Sequence, residues 1–247
     1  MFLMKLASLK AGRDGRLVVV SEDLAWCAAP PPMWQTLQHV LDDWAHAEPI
    51  LQGVAESLSH DAVPHSRFHE REAAAPLPRA YRWTSAAGDI SADQLVPPRS
   101  HLTAPGAVSG HIVVVVGDLA QGASRAAALA AIRLIGVAAS TDAGTSLSPV
   151  LATPNVLGAR WQDGKLHGTL AIDINGAPAA RLETGSIDLA DLVESLAATR
   201  DLTAGTIISA VLTPAPLPLK AGDLLRVEMP DEKHHPIFGA IEQPVDA

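Results

Sequence analysis

The residues whose types could do chemistry are few and scattered. His60, His65 and His69 stand near Glu70 and Glu72, a set with the right side chains for a metal. Their spacing is irregular and Pro64 divides them, so no single face collects them, and the segment reads as solvated. Ser109 and His111 lie two apart, on one face of a strand, a spacing that brings a hydroxyl and an imidazole to the same side. No acid accompanies them and no Gly-x-Ser-x-Gly elbow occurs, so a hydrolytic triad is not expected. The segment GDLAQG at 117–122 lacks the Gly-Lys-Ser/Thr ending of a phosphate loop. His234-His235 falls in a turn, and Asp42-Asp43 and Glu242 have the look of surface charge. The one cysteine, Cys27, excludes an intramolecular disulfide and a Cys-based zinc site.

Composition narrows the field further. The chain has 247 residues, 48% of them hydrophobic and 18% charged, enough to bury a substantial core. Aromatics make up only 4%, so Ala, Val and Leu must fill most of that core. A net charge of −9 without a Lys/Arg cluster argues against nucleic acid and against anionic membrane surfaces as partners. The start MFLMKLASLK lacks a secretory h-region, and no apolar run approaches membrane-spanning length. A soluble, cytoplasmic protein is expected.

The elements that must position any site follow from periodicity. Asp14-Gly15 between apolar runs predicts an early hairpin. Apolar residues from Leu37 to Leu58 recur at three and four, predicting two helices or one kinked at Pro49, with Thr36 as cap. Residues 59–75 read as a linker, and 89–94 as a helical turn. HIVVVV, starting at His111, has no polar alternation and predicts a strand buried on both faces. An alanine-rich helix at 124–132 and a second strand at 133–139 follow. Asn175-Gly176 predicts a tight hairpin, and 188–200 a helix. Another buried strand is expected at 206–212 and a last hairpin over 223–241.

Four stretches together carry a family resemblance. MKLASLKAGRDGRLVVVSEDL near the start, APLPRAYRW, TRDLTAGTII and the tail LKAGDLLRVEMPDEKHHPIFGAIEQPV fall in the order found in bacterial members of the fumarylacetoacetate hydrolase family. The chain resembles a divergent, shortened member. That resemblance implies an α+β, β-rich fold: a small α/β N-terminal domain, placed at 1–73, and a mixed β-roll domain at 74–247. It also implies a dimer, a divalent ion such as Mg²⁺, Mn²⁺ or Ca²⁺, and hydrolysis, decarboxylation, isomerisation or hydration of keto acids. Such chemistry needs a hard cation held by carboxylates, chelating adjacent substrate oxygens while an enolate forms.

The matching positions depart from that pattern. Where the family has Glu-x-Glu, this chain has Ser109-Gly110-His111, and the place of a further Asp is Ser140, with Asp142 the next carboxylate. The lid segment offers Ala92 and Asp93 with no His, and the substrate-facing Gly-Thr turn reads Ser209-Ala210-Val211-Leu212. The degenerate pocket is therefore expected at Ser109, His111, Ser140 and Asp142, with no catalytic residue assigned. No metal or other cofactor is expected; His111 with Asp142 would at most hold a transition metal weakly. The expected role is a non-hydrolytic pseudoenzyme, a ligand-binding or partner subunit that is homodimeric or paired with an active paralogue, with a small keto acid as possible ligand. The alternatives are a family hydrolase or decarboxylase using Mg²⁺ or Mn²⁺ at a site rebuilt from Asp89, Asp93, His111 or Asp142, or new metal-free chemistry in the inherited pocket.

Overall fold

The computed structural model describes residues 3–86, 88–90 and 95–246. The first hairpin joins β1 (Lys5–Leu9) to β2 (Arg16–Val20), as the Asp14-Gly15 turn implies. β3 (Trp26–Ala28) pairs with β2, and after helices α1 (Leu37–Asp42) and α2 (Trp44–Ser59), β4 (His65–Arg67) pairs with β3. A 3₁₀ turn at Glu70–Glu72 leads to β5 (Arg82–Ser85), β6 (Gly88–Ile90) and the long β7 (Gly106–Val116). Helix α3 (Arg125–Ala131) connects β7 to β8 (Ile132–Thr141), which doubles back into β9 (Gly144–Leu147), and β10 (Val150–Ala152) returns to β1.

The second half is a meander. The short hairpin β11 (Trp161–Gln162) and β12 (Lys165–Leu166) precedes β13 (Thr169–Ile174) and β14 (Ala177–Glu183). Asn175 and Gly176 connect the latter pair with φ of 56° and 75°, the two positive values that a tight hairpin turn requires. Helix α4 (Leu189–Ala197) is followed by β15 (Thr206–Val211), β16 (Leu217–Leu219), β17 (Leu224–Glu228) and β18 (Ile241–Pro244).

Two sheets result among the described residues, besides the β11–β12 hairpin. The large one runs β4-β3-β2-β1-β10-β8-β7-β15-β5-β6, with β16 added to β7 and β9 to β8; the smaller runs β14-β13-β17-β18. The architecture is thus α+β and rich in strand, as expected. β7 lies near the middle of the large sheet, between β8 and β15. Its even-numbered side chains Val108, Ile112, Val114 and Val116 pack with Leu170, Ile172 and Val227 of the small sheet. Gly110 permits the closest approach: a Cβ there would stand 2.7 Å from Leu170 and 3.0 Å from Ile172. Its odd-numbered Val113 and Val115 pack with Leu37, Val40 and Trp44 of α1 and α2. Complete burial of such side chains stabilises by about 1.5–3 kcal/mol each, so this strand anchors both layers.

The helix ends show local encoding. Thr36, Ser124 and Asp188 each accept a backbone N–H from three residues on, capping α1, α3 and α4. Arg125 of α3 reaches Asp188 (2.7 Å), Asp163 (2.9 Å) and Asp191 (2.5 Å), tying α3 to α4.

Three expectations need correction. The break between the first helices is at Asp43, not at Pro49, which sits inside α2. Asp43 leaves helical geometry while its carboxylate accepts the Trp34 indole N–H at 3.3 Å and lies 2.7 Å from His46 Nδ1. The 59–75 stretch is no plain linker: it holds β4 and the 3₁₀ turn, and Arg99 ties Glu70 to Glu242. Asp89 lies in β6 rather than in a helical turn, and 91–94 fall outside the described residues.

Candidate functional site

The odd-numbered face of β7 is where the site residues meet. Ser109 stands opposite Ser140 of β8, and Ser140 opposite Thr145 of β9, so three hydroxyl residues form a row across three strands. The Ser140 and Thr145 hydroxyls are 3.0 Å apart. In the next row His111 faces Ala138 on one side and Val211 of β15 on the other, with Leu147 beyond Ala138. Two positions along β15 from Val211, Ser209 accepts the indole N–H of the fully buried Trp83 at 2.9 Å. The sequence reading singled out Ser109, His111, Ser140 and Ser209 but missed Thr145 and the Trp83 contact, which depend on strand register.

His111 is 4% exposed, and neither ring nitrogen has a hydrogen-bond partner. Burial alone pushes its pKa down to about 4, so it is a neutral imidazole at physiological pH. Asp142 is not brought to it. Asp142 sits exposed at the tip of the β8–β9 hairpin, packs against Gly106 and accepts the Ala107 N–H at 3.1 Å. Ala107 and His111 are four residues apart on one strand, roughly 13 Å at the strand rise, too far to share a coordination sphere.

Two other carboxylates, in β6 and in the turn after β7, are already engaged. Asp89 pairs with Arg200 at 3.1 Å and lies 3.8 Å from Arg82, and the Thr84 hydroxyl, followed by Arg200, holds its carboxyl below the usual range. Asp118 accepts the Ala204 N–H at 2.9 Å and so fastens the turn after β7 to the turn before β15. Asp93 lies outside the described residues. Among the described residues no group of three or more His, Cys, Asp and Glu is placed to hold a metal ion. A hard ion such as Mg²⁺ or Mn²⁺ needs several anionic oxygens; hydroxyls and a desolvated imidazole do not fit it. What this face can do is hydrogen-bond, without charge, to a small polar group.

The segment that carries three histidines does not form a site either. His65 lies edge-on to Trp26 with ring centroids 4.9 Å apart, and Glu70 is taken by Arg99. No described helix is long and apolar enough to cross a membrane.

The architecture around this face defines a class: a strand-rich α+β fold with an N-terminal hairpin-and-helix unit built onto a larger sheet. Residues 4–79 match the family described as fumarylacetoacetase N-terminal domain 2. The same fold extends over the chain in the crystal structure of maleylpyruvate hydrolase from Sphingobium sp. SYK-6, with 14% identity, TM-score 0.75, and coverage of 98% of this chain and 99% of that one. It recurs in a probable 2-hydroxyhepta-2,4-diene-1,7-dioate isomerase from Mycobacterium abscessus, with 18% identity, TM-score 0.71 and coverage of 100% and 98%. A fumarylacetoacetate hydrolase from Exiguobacterium antarcticum shares it at 14% identity, TM-score 0.70 and 99% coverage of both chains. No curated protein matches the sequence. The chain thus carries a fumarylacetoacetase-type N-terminal domain within the fumarylacetoacetate hydrolase fold, as its sequence resemblance implies.

Proposed function

We propose that this chain is a non-hydrolytic pseudoenzyme of the fumarylacetoacetate hydrolase fold, a ligand-binding or partner subunit that pairs with itself or with an active paralogue. The observation that carries this reading is the row Ser109–Ser140–Thr145 beside a neutral, desolvated His111, with Asp142 turned away to a backbone N–H. Metal-assisted cleavage of a C–C bond develops negative charge on substrate oxygens, and a face of neutral hydroxyls offers little to stabilise it. A small keto acid is retained as the ligand class, held by hydrogen bonds alone; His111 would gain from it the partners its ring nitrogens lack.

The competing reading is a hydrolase or decarboxylase of a β-diketo or 2-keto acid with a site rebuilt from Asp89, Asp93, His111 or Asp142. It draws support from the relatives, since the Sphingobium hydrolase is also described in complex with manganese(II) and pyruvate. Elemental analysis of the purified chain, joined to an assay with an acylpyruvate and added Mg²⁺ or Mn²⁺, decides between them. The expected result is no stoichiometric ion and no turnover above background. A stoichiometric divalent ion with turnover overturns the pseudoenzyme reading.

A further inference from the structure

A cleft of about 880 Å³ lies away from the His111 face, between the start of β1, the turn after β2, the 3₁₀ stretch Pro154–Arg160 and the 231–237 turn. In β1, Met4 and Leu6 flank Lys5 and point to the α1–α2 core, whereas Lys5 shares the opposite side with Ala7. Lys5 is 5% exposed and lines this cleft. Its ammonium donates to the Glu22 carbonyl at 2.8 Å, which uses one of its three N–H groups. Burial lowers its pKa to about 8, offset in part by Glu22, Asp231 and Asp23.

The charges lining the cleft are unequally committed. Glu70 is held by Arg99 and the Ala240 N–H, Asp23 by the Ser21 hydroxyl and the Ala25 N–H, and Asp231 by the N–H groups of Lys233 and His235. Each of these carboxylates serves its own turn or a neighbouring arginine, while Glu22 is exposed at the rim. The cations are freer. Arg160 has only a 3.5 Å contact with Glu232, whose side chain is 94% exposed, and such pairs contribute little. Lys233 makes no salt bridge among the described residues. Leu24, Leu157 and Ile237 supply an apolar lining between them.

We propose that this cleft binds a compact oxyanion, a small molecule bearing a phosphate or two carboxylates, with Lys5 at its inner wall and Arg160 and Lys233 as further donors. The anion would take the two unused N–H groups of Lys5 and the guanidinium of Arg160, which are charge-assisted contacts. The site is independent of the degenerate face and of the pseudoenzyme reading.

Calorimetric titration of the full chain at low ionic strength tests this, with inorganic phosphate in one arm and succinate in the other. One or both should bind at one equivalent; phosphate alone points to a phosphorylated ligand, succinate alone to a dicarboxylate. Arg160→Gln, at a partly exposed position, and Lys5→Met should each weaken binding about tenfold or more, with the thermal transition of Arg160→Gln retained. Succinate affinity should fall between pH about 7 and about 9.5 as Lys5 deprotonates. Asp23 and Asp231, held low by N–H and hydroxyl donors, stay ionised there, and Glu22, Lys233 and His235 also face the cleft. A His235→Gln control should keep that pH trend. Absence of binding by both anions at millimolar concentration, or binding unchanged in both Arg160→Gln and Lys5→Met, overturns the proposal.

Discussion

The even-numbered and odd-numbered residues of β7 face different neighbours and carry different chemistry. The even face is apolar from Val108 to Val116 and meets the small sheet at Gly110, Leu170 and Ile172. The odd face buries Val113 and Val115 in the α1–α2 core; towards its other end it holds His111 and Ser109. One strand therefore serves a packing demand on one side and sets polar side chains beside apolar ones on the other. Packing leaves no latitude in size, because interiors are as dense as organic crystals. The odd side carries neutral groups, which tolerate burial better than carboxylates without a cation. Adjacent residues of one strand thus answer to separate constraints.

Substitutions can break or sharpen this contrast. The largest effect is expected on the even face: Gly110→Val drives a side chain into Leu170 and should abolish folding, while Ile112→Ala should cost about 2–5 kcal/mol by urea denaturation. If either is tolerated, the two layers are not locked at β7.

On the odd face the sign can reverse. His111→Leu removes two partnerless polar atoms and should be neutral or stabilising by about 1 kcal/mol near neutral pH. It should also change the acid limb of the stability curve. The folded pKa of about 4 lies below the ordinary value of 6.5, so the unfolded chain takes up the proton first as pH falls. Stability attributable to a neutral His111 is present above pH 6.5 and is lost on descent to pH 4, by about 3 kcal/mol in all. Denaturation curves across that range should show the loss in the native chain and a shallower limb in His111→Leu. An identical limb would mean that His111 finds a partner in solution.

The smallest effect is expected in the hydroxyl row. Ser109→Ala should shift stability by less than about 1 kcal/mol, and Ser140→Ala by about 1 kcal/mol through the Thr145 contact. A loss several times larger would show that the row is a tightly coupled network.

Sequence reading reached the even face more easily than the odd one for a physical reason. An unbroken run such as Val113 to Val116 states its own burial, and Asp188 before Leu189 states its own cap. Ser109, His111 and Ser140 could be named as positions, but Thr145 came to Ser140 through a hairpin register that residue types do not specify. The three-residue strands at Trp26–Ala28 and His65–Arg67 were illegible because they are too short to show a period, and β4 is exposed throughout. Lys5 carries no mark in the sequence that sets it apart. Its surroundings include the 231–237 turn, far along the chain, and local pattern holds no trace of that.

The pairing of β1 with β10 has a consequence for how the molecule is made. Lys5 meets Ala152, and Ala7 meets Val150, so β1 leaves the ribosome about 150 residues before one of its two neighbours. At ~5–20 residues per second the interval is roughly 7–30 s. Throughout it, β1 and β2 form a hairpin with a bare edge of Leu6 and Ala7, the kind of edge that recruits foreign strands. Nascent chains stalled before β10 should therefore depend on a chaperone, and those stalled well after it should not.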